Sequence, residues 1–286
     1  MKIGFIGAGK VGQSIGLLMF SKGVQISGYY SKTKQSAQDA SKRFAGVAFD
    51  TLKQLVIASD IIGITVNDDQ INQVVDDISK LNLNLEEKLF FHMSGAHDAT
   101  YLKKICSNAF SLHPLRAFPE VVTSPEAFDE TYFSLEGAND YVREWVNQLN
   151  LLHFEIRSNQ KAQYHSAAVI VSNYLISVLD FGFKQFKDIG LSDALIMKSL
   201  WPLITNTIQN VEKFGTMNAL TGPIVRGDIE TIQRHLDVLD PSSKHLYKAL
   251  GQYTLSMTQH DGKLRQQLSA LFEEVEYGKS NDDDIL

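Results

Sequence analysis

Short apolar runs alternate with amphipathic stretches over the first half of the chain, and the alternation stops near residue 157. Up to that point the pattern predicts strands near 2–6, 24–30, 61–66, 88–93, 109–112, 131–136 and 152–156. Apolar residues at helical spacing predict helices near 10–22, 33–44, 51–58, 68–79, 98–104 and 139–150, which separate most of the strands as βαβ units require. From Ser158 onward no strand pattern follows, and helices are expected near 159–188, 192–214, 228–238, 240–258 and 262–277. The expected fold class is therefore α/β: an N-terminal Rossmann doubly wound, mainly parallel sheet followed by an all-helical C-terminal domain. The expected boundaries are 1–157 for a nucleotide-binding domain, 158–280 for a helical substrate and dimerisation domain, and 281–286 for a disordered acidic tail.

Composition narrows the function classes. Hydrophobic residues make up 44% and charged residues 21% of the 286 residues, the balance of an ordinary globular protein. The single cysteine, Cys106, cannot pair within its own chain, which favours a reducing, cytoplasmic address. A net charge of −6 without a basic block opposes binding to nucleic acid and to anionic membranes. The longest apolar stretch, Ala167–Leu179, is interrupted by Ser172, Asn173 and Ser177 and falls short of the ~20 residues that span a bilayer, so it reads as a buried helix. The chain enters a strand pattern at Lys2 with no apolar leader, so no targeting segment is expected. The eight histidines show no H-E-x-x-H or close paired spacing, so no metal centre is expected.

Gly7-Ala8-Gly9-Lys10-Val11-Gly12 has the G-x-G-x-x-G spacing, directly after a strand pattern and at the start of an amphipathic helix. In that context Gly7 permits a tight turn, Gly9 lets backbone approach a pyrophosphate, and Gly12 lets the helix pack on the strand. At the end of the second strand, where an acid would hold a ribose 2′-hydroxyl, the chain has Tyr30-Ser31-Lys32 instead. A hydroxyl and a lysine suit a 2′-phosphate, so the expected cofactor is NADP(H). Asn67 and Asp68 end another strand and fit either cofactor contact or helix capping.

Two further strand ends carry candidate chemistry. One runs His92-Met93-Ser94-Gly95 and the other His113-Pro114-Leu115-Arg116. Gly95 would admit a nicotinamide ring, Ser94 and His113 are candidate site residues, Arg116 is a candidate carboxylate clamp, and His92, inside its strand, reads as a core histidine. In the helix that follows residue 158, Lys161, His165 and Ser172 lie within an arc of about 40°, with Asn173 about 80° from His165. A polar seam on an otherwise apolar helix suggests groups facing a wet cleft, with Lys161 and His165 as proton donors and Asn173 orienting substrate. Leu220-Thr221-Gly222-Pro223 interrupts the helical half ahead of Arg226 and Asp228, a lid-like loop with two candidate substrate contacts, Asp228 also being a natural helix cap.

Taken in order, the stretches Gly7–Gly12, His92–Ala96, His113–Leu115, Lys161…His165…Asn173 and Leu220–Asp228 resemble a family of Rossmann-like proteins with a helical C-terminal domain formerly of unknown function. That family is related to pyrroline-5-carboxylate reductase and 3-hydroxyacid dehydrogenases. Some of its members resemble an alternative class of ketopantoate reductase, so the resemblance implies NADPH-dependent reduction of a small 2-oxo acid, first of all 2-dehydropantoate to pantoate in pantothenate and coenzyme A synthesis. The better-known ketopantoate reductases carry Lys-x-x-x-Asn and a distal glutamate; here His165 stands at the asparagine's place and no glutamate aligns. The alternatives are an imine reductase resembling pyrroline-5-carboxylate reductase, and a non-catalytic dinucleotide sensor. Hydride transfer is expected in a cleft between the domains, and a homodimer is expected through the aromatic-rich helical half.

Overall fold

The computed structural model describes residues 1–273 and divides them into two compact units, Met1–Leu175 and the residues from Ile176 onward. In the first unit, β1 (Lys2–Ile6), α1 (Lys10–Ser21), β2 (Gln25–Tyr30), α2 (Lys34–Lys42), β3 (Val47–Ala48), α3 (Leu52–Ala58) and β4 (Ile61–Ile64) lead the chain. They are followed by α4 (Ile71–Ser79), β5 (Leu89–His92), β6 (Ala109–Pro114), β7 (Phe133–Glu136), α5 (Asp140–Gln148), β8 (His153–Ile156) and α6 (Lys161–Val169). The strands form one sheet in the order β3-β2-β1-β4-β5-β6-β7-β8, parallel throughout except where β7 runs against β6. The order reverses between β1 and β4, which opens a crevice beyond the carboxyl ends of those strands.

Helices cover both faces of this sheet, which is why its strands read as nearly continuous apolar runs. Ile3, Phe5, Phe91 and Phe110 belong to one cluster; Ile6, Ile62, Ile64 and Phe90 to another. The two-residue β3 is too short to leave a periodic signal. The helix expected over 98–104 shrinks to a single 3-10 turn, Leu102–Lys104, preceded by the Ala99 and Thr100 amides donating to the side chains of Glu136 and Asp98.

The second unit holds α7 (Leu175–Asp188), which continues from α6 through one π-helical turn at Ile170–Tyr174 and starts at the last residue of the first unit. It also holds α8 (Asp193–Ala219), α9 (Pro223–Arg226), α10 (Ile229–Val238), α11 (Pro241–Ser256) and α12 (Gly262–Phe272). Ile232, Leu236, Leu255, Leu268 and Phe272 form its core. Gly215, with φ at 73°, kinks α8 near the place where the sequence pattern ends that helix. The compact first unit therefore extends past the last strand to Leu175, while the change from strands to helices lies at the expected residues 157–158. The tail expected over 281–286 lies outside the described residues.

The stretch Ala167–Leu179 is not the buried helix its apolarity suggests. Val171 is 72% and Ile176 66% exposed, so the apolar side chains find no cover within the described residues. With its flanks, Ser158–Asp188 is long and apolar enough to cross a membrane by length and composition alone. Its first turns are nonetheless fastened into the sheet unit by Lys161 and Tyr164.

Candidate active site

The glycine loop is built as its spacing demands. Gly7 has φ at +106°, and a Cβ there would strike the Thr65 backbone at 2.7 Å. A Cβ on Gly12 would lie 2.4 Å from the Gly7 carbonyl oxygen, so this glycine lets α1 sit against the turn. Gly9 differs: a Cβ there would meet nothing within 4 Å, so its backbone borders open space. Gly9 also caps α1 without any side-chain hydrogen bond, which leaves the amides of the first turn free for an anion. Thr65, which carries no sequence signal of its own, pins the loop by donating to the Gly7 carbonyl at 2.8 Å.

A cleft of 550 Å³ lies over this loop, with Gly7, Ala8, Gly9, Ser31, Lys32 and Asn67 among its lining residues. The acids on its wall, Asp69 and Asp77, come from beyond β4; the end of β2 supplies none. A second cleft of 410 Å³ shares Gly9 and Asn67 and continues past Lys10, Val11 and Asp68 to Ser94. Phe118 is common to this cleft and a third of 520 Å³, lined by His113, Arg116, His165, Ser172 and Asn173. An open, glycine-cornered cradle at a helix N-terminus, leading to a basic and polar cleft, fits a dinucleotide in the first cleft and a small substrate in the third.

Gly95 is buried just beyond the end of β5. A Cβ on it would lie 2.5 Å from His165 Nδ1 and 2.8 Å from His113 Nε2, so both imidazoles are packed directly against a residue that has no side chain. Burial, with help from the charge of Lys161 and the proximity of His165, lowers the pKa of His113 to about 4, so its ring is neutral near pH 7. His113 Nδ1 is 2.6 Å from the Tyr164 hydroxyl, whose own pKa burial raises. His165 Nδ1 is buried and has no hydrogen-bond partner. Tyr164 escapes the sequence reading because it looks like one more apolar-face residue; only its position beside His165 hints at its contact.

Several candidates turn out differently. Lys161, expected to face a wet seam, is 2% exposed and lines none of these clefts. Its Nζ donates to the Ser94 carbonyl at 2.8 Å and the Ser111 hydroxyl at 2.7 Å, and burial lowers its pKa to about 8. Ser94 lines the second cleft, but its hydroxyl already donates to Asp68 at 2.8 Å and accepts from the Ala96 and His97 amides. That is its full complement of hydrogen bonds, so it has none left for a substrate. Asp68 correspondingly serves Ser94 rather than a helix cap. Asn67 occupies the cap position of the short turn Asp68–Gln70, but its side chain makes no capping bond. Arg116 lines the third cleft while donating to the Ala127 carbonyl at 2.7 Å and lying over the Phe128 ring, which accounts for part of its charge before any carboxylate arrives. His92 is the core histidine expected, with no exposure and a pKa lowered to about 4 by burial.

Asn173 lines the third cleft beside Ser172, and it sits within the π turn at Ile170–Tyr174, a feature no residue pattern announces. Arg226 and Asp228 belong to the second unit. There Asp228 caps α10, its carboxylate accepting from the Thr231 amide and hydroxyl, while Arg226 ends α9.

Residues 1–115 match the model of the Rossmann-like domain, and residues 131–254 match a domain of unknown function, DUF2520. The chain joins a Rossmann-like domain to a DUF2520 domain. This is the combination that its motifs resemble, and no curated protein matches the chain. Among solved structures, BF3122 from Bacteroides fragilis is 22% identical with a TM-score of 0.73, over 89% of this chain and 98% of that one. An imine reductase from Pseudomonas sp. is 15% identical with a TM-score of 0.61, over 95% and 98% of the two chains. A pyrroline-5-carboxylate reductase from Coxiella burnetii is 11% identical with a TM-score of 0.55, over 94% and 95%. At these identities the Rossmann-DUF2520 chain shares a fold with the three proteins.

Proposed function

We propose that the protein is an NADPH-dependent reductase of a small substrate carrying a C=N bond. The observation that carries this reading is the run of three clefts that share walls, from the open face of Gly9 past Ser94 to a cleft lined by His113 and His165. Bound along the glycine loop, a nicotinamide dinucleotide would supply the hydride. The α1 amides and Gly9 hold its pyrophosphate, and Ser31 and Lys32 favour the 2′-phosphate form.

A C=N substrate that arrives already protonated needs no strong acid from the protein, only an acceptor for its N–H. His165 and Asn173 line the third cleft and are the candidate partners for that N–H, and apolar Phe118 and Ala168 help to exclude water. Reduction of a 2-oxo acid, ketopantoate included, needs a proton at the developing alkoxide. Of its two expected donors, Lys161 is bound to Ser94 and Ser111 instead, which leaves His165 alone in the cleft. The likeness in fold to an imine reductase and a pyrroline-5-carboxylate reductase agrees with this preference.

The test is NADPH consumption, followed by absorbance, over a panel of small cyclic imines and 2-oxo acids with ketopantoate among them. Turnover of imines is expected. Turnover confined to 2-oxo acids overturns the substrate assignment, and tight cofactor binding with no turnover at all leaves the sensor reading in its place.

A further inference from the structure

Among the groups around Gly95, one hydroxyl has no part in cofactor or substrate binding as described so far. Tyr164 lies on α6, one residue before His165, and its OH is 2.6 Å from His113 Nδ1, the ring nitrogen turned away from Gly95. The two rings meet edge to face with centroids 5.6 Å apart, and Phe154 packs against Tyr164 in the same manner, so the phenol is held by rings on two sides.

We propose that Tyr164 is a positioning residue: its hydroxyl donates to His113 Nδ1 and so places the His113 ring proton on Nε2, the nitrogen packed against Gly95. Three observations support this direction of the bond. Phenols donate to imidazole nitrogen more readily than they accept from it, because the ring withdraws their lone pair. Burial keeps Tyr164 protonated. His113 itself is neutral near pH 7, so it has one bare nitrogen to be matched; the charged and titratable groups around it are Lys161, His165, Asp68 and His92, together with Tyr164.

The consequence, which rests on the reductase reading, is that His113 carries its N–H on the nitrogen beside Gly95 and not on the one beside Tyr164. His113 lines the third cleft, so a fixed tautomer fixes the part its ring plays in hydrogen bonding there.

Nitrogen-15 spectra of histidine-labelled protein test the assignment, with the His113 signals identified by their loss in His113→Asn. The wild-type protein at pH 7 is expected to show a protonated Nε2 and an unprotonated Nδ1 at His113. In Tyr164→Phe, which removes only the hydroxyl, the two tautomers are expected to become mixed, and kcat to fall about 10-fold while the KM for NADPH stays within two-fold. A protonated Nδ1 at His113 in the wild-type protein overturns the proposal, whatever becomes of the variant. So does a Tyr164→Phe protein whose His113 tautomer is unchanged. If the tautomer is as expected and shifts in Tyr164→Phe, but no panel substrate is reduced, the positioning role stands and the reductase reading falls.

Discussion

A buried ammonium that bonds two strand ends does different work from one that faces substrate, and Lys161 is of the first kind. Replacing it by Met leaves the Ser94 carbonyl and the Ser111 hydroxyl without their donor. The expected cost is about 2–4 kcal/mol of stability, read from urea unfolding. A variant as stable as wild type that has lost only its kcat would restore Lys161 as a direct proton donor. The two buried histidines set a second expectation. His92 and His113 have pKa values lowered to about 4 in the folded protein, against about 6.5 for an unfolded chain. Between those values the unfolded chain binds more protons, so stability falls as pH drops from about 6.5 to about 4, by roughly 3 kcal/mol for each histidine. Thermal melts across that range check the sign, and a flat profile contradicts it. What was legible at this scale was residue type at motif spacing: Gly7, Gly9, Ser31, Lys32 and the strand-end His113 line the clefts, and Gly12 packs the helix on the turn. What was hidden was each group's partner, because Ser111 lies 50 residues from Lys161 and Tyr164 lies 51 from His113.

Elements were easier to read than contacts. Strands buried on both faces and helices with one apolar face leave strong periodicities, so most of the observed strands and helices lie within a few residues of their expected positions. Among the exceptions, β3 is only two residues long, and a single 3-10 turn stands where a helix was expected near Asp98. The π turn in the helix after Lys161 leaves no compositional mark at all, and Asn173 lies within it. Asp228 shows how one residue suits two readings, as a substrate contact or as a cap. The bonds it makes are those of a cap, so Asp228→Ala is expected to lower the melting temperature with the substrate KM unchanged. A KM raised many-fold at unchanged stability would return it to the substrate.

For the whole molecule, the exposed apolar residues of the helical half are the feature left unexplained by a single chain. Val171, Tyr174, Ile176, Trp201, Leu203 and Phe214 are all exposed. We propose that a second copy of the chain covers them, since a symmetric homodimer is the commonest way for one sequence to bury such a surface. Light scattering at micromolar concentration is expected to give twice the 32.0 kDa chain mass, and a monomer mass contradicts this. The central claim, that the glycine loop holds a nicotinamide dinucleotide, is tested most directly by fluorescence titration of NADPH and NADH into the wild-type protein and Gly9→Ala. A Cβ on Gly9 touches no protein atom but fills the approach to the pyrophosphate, so the variant should melt like wild type. The expected result is NADPH bound about 10- to 100-fold more tightly than NADH, as for a charge-assisted phosphate contact of ~1–3 kcal/mol, with binding of both lost in Gly9→Ala. Absence of binding to the wild-type protein, or equal binding to a folded Gly9→Ala, would contradict it.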